Sequence, residues 1–287
     1  MTWSRDNEPV TDDPPPPGPD RRPAAVRPSD AELLLAGIKA LHRRLDRLEA
    51  LADPQARLAA EAARLVPAWR RVTAGETRWQ VGAVTLTAIA LQLPLPDRLV
   101  LIKPVWLLPA LQGLLFVALI AANPTRVARQ SPLTRGLSLT LAAVLSLANA
   151  YSAGALAYGL ATGTLGPASN KAGPLLASGG AIWLTNVIVF ALWYWEFDRG
   201  GPAARAQGTR QYPDFQFVQM TSPQMAPPDW EPCFGDYLYL AFTNATAFSP
   251  TDVMPLSRWA KTAMLVQSAV SIITVALVVA RAVNILP

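Results

Sequence analysis

The chain has 287 residues, of which 51% are hydrophobic and 16% are charged, and its mean hydropathy is +0.23. Soluble domains carry charge on about a quarter of their residues, so this balance indicates a membrane protein. One cysteine, Cys233, and one histidine, His42, exclude an internal disulfide and disfavour a Cys/His metal site. We therefore expect no enzymatic activity, no cofactor and no bound metal. The net charge of +5 is modest, and we expect no nucleic-acid partner.

The first 28 residues are rich in proline and contain the run "DDPPPPGPDRRPAAVRP". Consecutive prolines lack amide donors, and so few bulky apolar residues cannot offset the entropy cost of ordering. We therefore predict a disordered tail over 1–28. A helix is predicted to begin at Ser29, because Ser29 and Glu32 have the spacing of a capping box.

A heptad-like seam follows within residues 29–72, which we predict to be a cytoplasmic helical front. Its apolar positions are four and three residues apart, which places them along one helix face. They are Leu34, Ile38, Leu41, Leu45, Leu48 and Ala52. The seam stops before Pro54, so it is short for an autonomous coiled coil. It predicts either a homo-oligomer joined along this face or packing against a second helix over about 55–66.

The remaining residues, 73–287, are predicted to form an all-α bundle of membrane helices. The apolar runs lie at about 79–93, 105–122, 137–162, 175–195, 233–249 and 259–283. A crossing needs about 20 residues, at 1.5 Å per residue, to cover a hydrocarbon core of roughly 30 Å. We predict five long spans and one short helix, 233–249, which either crosses or re-enters. We favour the crossing, because non-helical backbone at membrane depth needs shelter from lipid.

The distribution of arginine and lysine predicts the orientation of the bundle. The connections before the first span, between the second and third, and after the fourth each carry several arginines. The other connections carry only Arg98 with Lys103, and Lys171. The N-terminus is therefore predicted to be cytoplasmic. The expected location is the bacterial inner membrane, with the lipid bilayer as a partner.

Two amide side chains, Asn149 and Asn186, fall inside predicted spans. An amide in hydrocarbon needs a hydrogen-bond partner, so we expect both to face the interior of the bundle. Contacts of this kind commonly join neighbouring membrane helices. The alternative is a role in permeation or binding.

The C-terminal part of the chain reads "FGDYLYLAFTNATAFSPTDVMPLSRWAKTAMLVQSAVSIITVALVVARAVNIL". Together with "YWEFDRGGP" upstream, it resembles a bacterial family of multi-pass membrane proteins of unknown function. More distantly, it is similar to the pore unit of tetrameric potassium channels, in which a pore helix, a filter and an inner helix follow one another. The resemblance implies a pathway near the turn, with Asp252 at the end of the filter.

The filter position of this chain departs from the potassium-channel pattern. Ser249 and Thr251 stand in place of the two filter glycines, and Pro250 replaces the tyrosine. Stacked carbonyls select potassium, and glycine allows the required backbone angles at little cost. We therefore expect no potassium filter, even where the frame of helix, turn and helix is shared.

Two functions from different classes remain open on the sequence. In the first, an oligomer conducts ions or small solutes past polar side chains near the turn. These candidate pore-lining residues are Thr243, Asn244, Thr246, Ser249, Thr251 and Asp252. In the second, the bundle is a non-conducting scaffold or assembly protein that acts through its cytoplasmic helices, and "SPTD" is a capped turn.

Overall fold

The computed structural model describes residues 35, 37–46, 66–122, 132–166, 171–247 and 252–285. The chain divides into two units, Met1–Ala63 and Arg64–Pro287.

In the first unit, residue 35 and residues 37–46 are helical. Three positions of the predicted seam, Ile38, Leu41 and Leu45, are described, and all three side chains are exposed. The predicted tail over 1–28 and the remaining seam positions lie outside the described residues.

The second unit is mostly helical, and three of its helices are long and apolar enough to cross a membrane. They are α3 (Pro132–Thr162), α4 (Ala172–Phe197) and α8 (Arg258–Ile285), which follow the shorter apolar helices α1 (Trp79–Ala90) and α2 (Leu107–Ala122). The expectation of a mostly helical chain is confirmed, and these three helices fit a membrane protein. At 1.5 Å per residue α1 and α2 are about 18 and 24 Å long, which is less than the roughly 30 Å core.

Helix α4 lies at the centre of the bundle. Of its apolar window 61% is buried, against 39% for α3 and 28% for α8. Helices α4 and α8 run antiparallel, since Tyr194 near the end of α4 contacts Gln267, whereas Gly179 near its start faces Val278 deep in α8. The core around them is built from buried aliphatic side chains and from Tyr194 and Trp195.

A second apolar cluster lies at the other end of the bundle. The connection between α1 and α2 folds inward there, and Leu95, Leu99 and Val100 pack with side chains of α3, α4 and α8. The hydroxyl of Ser152 donates to the Leu99 carbonyl at 2.6 Å. The ordered connection therefore adds to the length that the short helices α1 and α2 cover within the bundle.

The segments 66–78, 198–233 and 252–257 fold together over one end of the helices, and we call them the cap. The cap contains the short helices α5 (Pro202–Ala206) and α6 (Val218–Thr221) and a two-stranded antiparallel sheet, β1 (Phe215–Gln216) with β2 (Met254–Pro255). Single 3-10 turns, such as Ala68–Arg70, complete it. The alternation of apolar and polar residues around Phe215 is typical of an extended segment, and β1 is that segment.

Helix α7 (Phe234–Ala247) starts at the cap, and the chain after it returns to the cap. The amide of Phe234 donates to Glu76 Oε2 at 2.9 Å, and β2 then pairs with β1. A crossing over 233–249 would place β2 at the face opposite to β1. The segment from Phe234 to Pro255 therefore leaves the cap and returns to it.

Candidate functional site

The candidate pore-lining residues of α7 divide between its two faces. Asn244 is buried and bonds to α8, whereas Thr246 is exposed and Thr243 is half-buried. Both threonine hydroxyls donate to carbonyls of their own helix, at 3.0 Å for Thr243 and 2.9 Å for Thr246. Asp252 is exposed in the cap beside β2. Ser249 and Thr251 lie outside the described residues.

A polar network joins α4, α7 and α8 around Gln267, which is fully buried. Its Oε1 accepts hydrogen bonds from the Tyr194 hydroxyl at 2.6 Å and from Asn244 Nδ2 at 2.7 Å. Its Nε2 donates to the Ala241 carbonyl at 2.7 Å. Neither Gln267 nor Tyr194 is among the site residues predicted from the sequence. A glutamine inside an apolar run is the signal that would identify Gln267.

Asn186 and Asn149 are both buried. Asn186 Nδ2 donates to the Ser271 hydroxyl at 3.0 Å and to the Gln267 carbonyl at 3.3 Å, so it extends the network along α8. Asn149 lies apart from this network, on α3, and its Oδ1 has no hydrogen-bond partner among the described residues. The structure thus brings Asn186 and Asn244 to one network and leaves Asn149 outside it.

A buried ion pair between Arg205 and Glu76 joins two segments of the cap, and Glu76 also accepts hydrogen bonds from the helices. Arg205 Nη2 lies 3.1 Å from Glu76 Oε1, with the two side chains 3% and 12% exposed. Glu76 Oε2 also accepts from Trp195 Nε1 at 3.0 Å, so one carboxylate binds the cap, α4 and α7. Burial acts to lower the pKa of Arg205, but the negative charges around it, including Glu76, raise the pKa above its usual value.

Two further carboxylates, Asp198 and Asp214, connect the cap to the ends of α7 and α8. Asp198 Oδ2 accepts from the Tyr237 hydroxyl at 2.6 Å, and Asp198 Oδ1 accepts from the Asp214 amide at 2.8 Å. Asp214 Oδ1 accepts from Trp259 Nε1 at 2.7 Å. Asp214 could not be identified from the sequence, because its partners are distant in the chain.

A cleft of about 590 Å³ lies between α1, α2, α3 and α4 on the cap side. Ligand sites in proteins typically occupy roughly 300–1,000 Å³, so the volume is sufficient for a small molecule. Its walls are mainly apolar and include Phe116, Leu141 and Leu192. Exposed apolar side chains, Trp79 and Leu86 among them, lie along its opening.

The cap end of this cleft is polar. Arg78, Ser138 and Glu196 line it, and the Ser138 hydroxyl donates to Glu196 Oε1. Glu196 is 1% exposed, yet its Oε2 has no hydrogen-bond partner among the described residues. Arg78 Nη1 donates to the Leu119 carbonyl at 3.1 Å, and its buried Nε has no partner within the same part of the chain. Burial lowers the pKa of Arg78, and the charge of Glu196 acts in the opposite direction.

No group of three or more His, Cys, Asp or Glu side chains among the described residues is arranged to hold a metal ion. The comparisons with known proteins add no relative: no protein-family model, no curated protein and no solved structure matches the chain.

Proposed function

We propose that the protein is an oligomeric, channel-like pore of the bacterial inner membrane, built on α7, the return to the cap and α8. The observation that carries this proposal is that α7 begins at the cap and the chain is back at the cap by β2. This is the order of a pore helix, a return and an inner helix. This order supports the distant resemblance to the pore unit of potassium channels. The upstream run "YWEFDRGGP" supports a relation to the bacterial family of multi-pass membrane proteins.

The position of the α7 C-terminus supports a pathway for cations. Asn244, three residues before the end of α7, bonds to Gln267, which is nine residues into α8. The last four carbonyls of any α-helix lack partners within the helix, and they give that end a partial negative charge. Polar backbone at membrane depth needs water or a protein surface around it. A water-filled pathway between subunits provides both, and it favours positive ions.

The outer face of α7 supports an oligomer. Tyr239, Phe242 and Thr246 recur at helical spacing on this face and are exposed. Because Thr243 and Thr246 donate their protons to their own helix, their oxygens present lone pairs outward, where a cation can bind. The exposed seam of the front helix, with Leu41 and Leu45, offers a further surface for self-association.

The proposed topology has five crossing helices, α1 to α4 and α8, with α7 re-entrant from the cytoplasmic side. Arginines of the cap, including Arg199, Arg205 and Arg210, support a cytoplasmic cap and a cytoplasmic N-terminus. The short helices α1 and α2 require the ordered connection between them, or local thinning of the bilayer, to complete their crossings.

Reconstitution tests the pore directly. Purified protein in liposomes should pass monovalent cations above the rate of empty liposomes, and Asp252→Asn should reduce the rate severalfold by removing an acidic charge from the mouth of the pathway. Asp229→Asn, at another exposed acid of the cap, is the matched control and should leave the flux unchanged. A folded, monodisperse preparation without flux above background would refute the pore.

The second candidate is the non-conducting scaffold. It is favoured by the cap, which a buried ion pair holds together and hydrogen bonds from Trp195 and Phe234 join to the helices, and by the exposed apolar face of the front helix. Under this function Asp252→Asn lowers stability without any change in flux. Deletion of residues 29–66 then abolishes co-purification of the partner, whereas retention of the partner counts against the scaffold.

A further inference from the structure

The cleft between α1, α2, α3 and α4 has the form of a lipid site. Its apolar walls run from the cap end, at Arg78 and Glu196, towards Thr85 and Leu86 on α1. Seven or eight residues of helix cover about 12 Å, which takes the cleft from the membrane interface well into the hydrocarbon region. Trp79, 70% exposed beside the cleft, is a typical interfacial side chain. The cleft therefore opens where an acyl chain would enter from the bilayer.

The polar end of the cleft supplies one donor and one acceptor without partners. Arg78 Nε and Glu196 Oε2 are both buried, and neither has a hydrogen-bond partner among the described residues. Buried polar atoms in native structures are nearly always satisfied, so a ligand or ordered water at this place is expected. A ligand that satisfies both atoms must accept from a guanidinium and donate to a carboxylate.

The charges around Glu196 determine whether such a ligand should carry a positive or a negative charge. Arg78 lines the cleft together with Glu196, and Arg135 is also close to this carboxylate, because a Cβ at Gly201 would lie 3.6 Å from Arg135 Nη1 and 3.7 Å from Glu196 Oε2. Arg205 is already paired with Glu76, so two arginines, Arg135 and Arg78, remain against one glutamate. One positive charge is left in excess, and an anionic group at this position would balance it.

We propose that this cleft binds an anionic phospholipid whose headgroup carries a hydroxyl, as in phosphatidylglycerol. Its phosphate accepts from Arg78 Nε, its headgroup hydroxyl donates to Glu196 Oε2, and one acyl chain lies in the cleft. An ethanolamine headgroup fits less well, because its ammonium adds a positive charge beside Arg78 and Arg135 and leaves the excess unbalanced. Basic pockets between membrane helices are a recurrent form of lipid recognition.

Lipid retention tests the proposal. The full chain is reconstituted in vesicles that contain equal amounts of phosphatidylglycerol, phosphatidylethanolamine and phosphatidic acid with identical acyl chains. It is then purified in detergent, and the retained lipid is quantified by mass spectrometry. The wild type should retain phosphatidylglycerol over phosphatidylethanolamine by about fivefold, the factor expected for one basic side chain near an anionic lipid.

Three variants test the three contacts separately. Arg78→Met should abolish the preference for phosphatidylglycerol over phosphatidylethanolamine, and Glu196→Met should abolish its preference over phosphatidic acid, which lacks the hydroxyl. Gly82→Leu should remove lipid of every class, since Gly82 lines the cleft and an added Cβ lies 3.4 Å from Phe116. The matched controls Arg98→Met, Glu231→Met and Gly113→Leu lie outside the cleft and should retain the wild-type lipid.

Two results would overturn the proposal. One is a wild type that retains no phospholipid, or mainly phosphatidylethanolamine, which would leave water or detergent as the occupant of the cleft. The other is unchanged retention in Gly82→Leu. Size-exclusion profiles and thermal unfolding show which variants fold. Gly82→Leu touches neither charged group, so it decides the question even where Glu196→Met does not fold.

Discussion

At the residue scale, Gln267 illustrates how a single buried amide connects three helices. Gln267→Leu preserves the approximate size of the side chain but removes the acceptor for Tyr194 and Asn244. Leaving buried polar groups without partners costs about 1–3 kcal/mol. Hydrogen bonds between membrane helices are worth about 0.6 kcal/mol on average. We therefore expect the free energy of unfolding to fall by roughly 2 kcal/mol.

SDS-driven unfolding in bicelles measures this change in the free energy of unfolding. Gln211→Leu is the matched control, because Gln211 is exposed in the cap, and its free energy of unfolding should stay within about 0.5 kcal/mol of the wild type. Equal stabilities of Gln267→Leu and the control would show that the network contributes nothing net to the packing of α4, α7 and α8.

The pair of Arg205 and Glu76 allows a double-mutant test at the same scale. Arg205→Met leaves the carboxylate of Glu76 without its ionic partner at a site that is almost closed to water. Breaking a buried pair from one side costs about 3–5 kcal/mol, much of which is the cost of the remaining charge. Adding Glu76→Gln removes that charge, while its amide oxygen still accepts from Trp195 or Phe234.

The double variant Arg205→Met with Glu76→Gln should therefore be more stable than Arg205→Met alone. The expected recovery is about 1 kcal/mol or more, with the free energy of unfolding as the measured quantity. If the two losses simply add, the interaction energy is zero, and the ion pair does not stabilise the cap.

At the element scale, the contact of α4 with α8 depends on one small residue. A Cβ at Gly179 would lie 2.7 and 2.8 Å from the two Cγ atoms of Val278, so the helices approach as closely as a glycine allows. Gly179→Leu should force α4 and α8 apart and lower the free energy of unfolding by roughly 1–3 kcal/mol. A Cβ at the neighbouring Gly180 would meet no atom within 4 Å, which makes Gly180→Leu the matched control.

Replacing Val278 by alanine should restore part of the stability of Gly179→Leu, because it removes the atoms that the new side chain meets. Thermal unfolding of the purified variants measures the effect. If Gly180→Leu destabilises as much as Gly179→Leu, helix propensity rather than the close contact accounts for the loss.

The sequence predicts the existence of these elements better than their ends and partners. The apolar runs of the sequence predict α3, α4 and α8, because the hydropathy of a helix depends on the medium around it and not on which residues it contacts. The polar partners of Gln267 and the ion pair of Glu76 with Arg205 could not be found in this way, because Arg205 Nη2 and Glu76 Oε1 are 129 positions apart in the chain. Only the folded cap brings them together.

The same reason applies to α7. Length and hydropathy alone do not distinguish a short crossing from a re-entrant helix over 233–249. The distinction depends on β2 pairing with β1 and on Trp259 bonding to Asp214, which are contacts between distant segments. The first contact returns the chain to the cap before α8 begins, and the second holds the start of α8 at the cap.

At the scale of the whole molecule, the return of the chain to the cap fixes which positions share a face of the membrane. Asp252 and Asp229 are both exposed in the cap, whereas Lys171 precedes α4 at the opposite end of the bundle. We expect Asp252→Cys and Asp229→Cys, each in a Cys233→Ser background, to react with a membrane-impermeant maleimide from the same side. Lys171→Cys should react from the other side, because α4 separates it from the cap.

Labelling of intact cells and of inside-out vesicles distinguishes the two arrangements, and the Cys233→Ser protein without a new cysteine is the control for background reaction. A cytoplasmic cap requires that Asp252→Cys and Asp229→Cys react only in inside-out vesicles, since α7 re-enters from that side. Reaction of Asp252→Cys together with Lys171→Cys would instead mean that α7 crosses the membrane. The frame of re-entrant helix, return and inner helix would then be lost, and with it the observation on which the proposed pore depends.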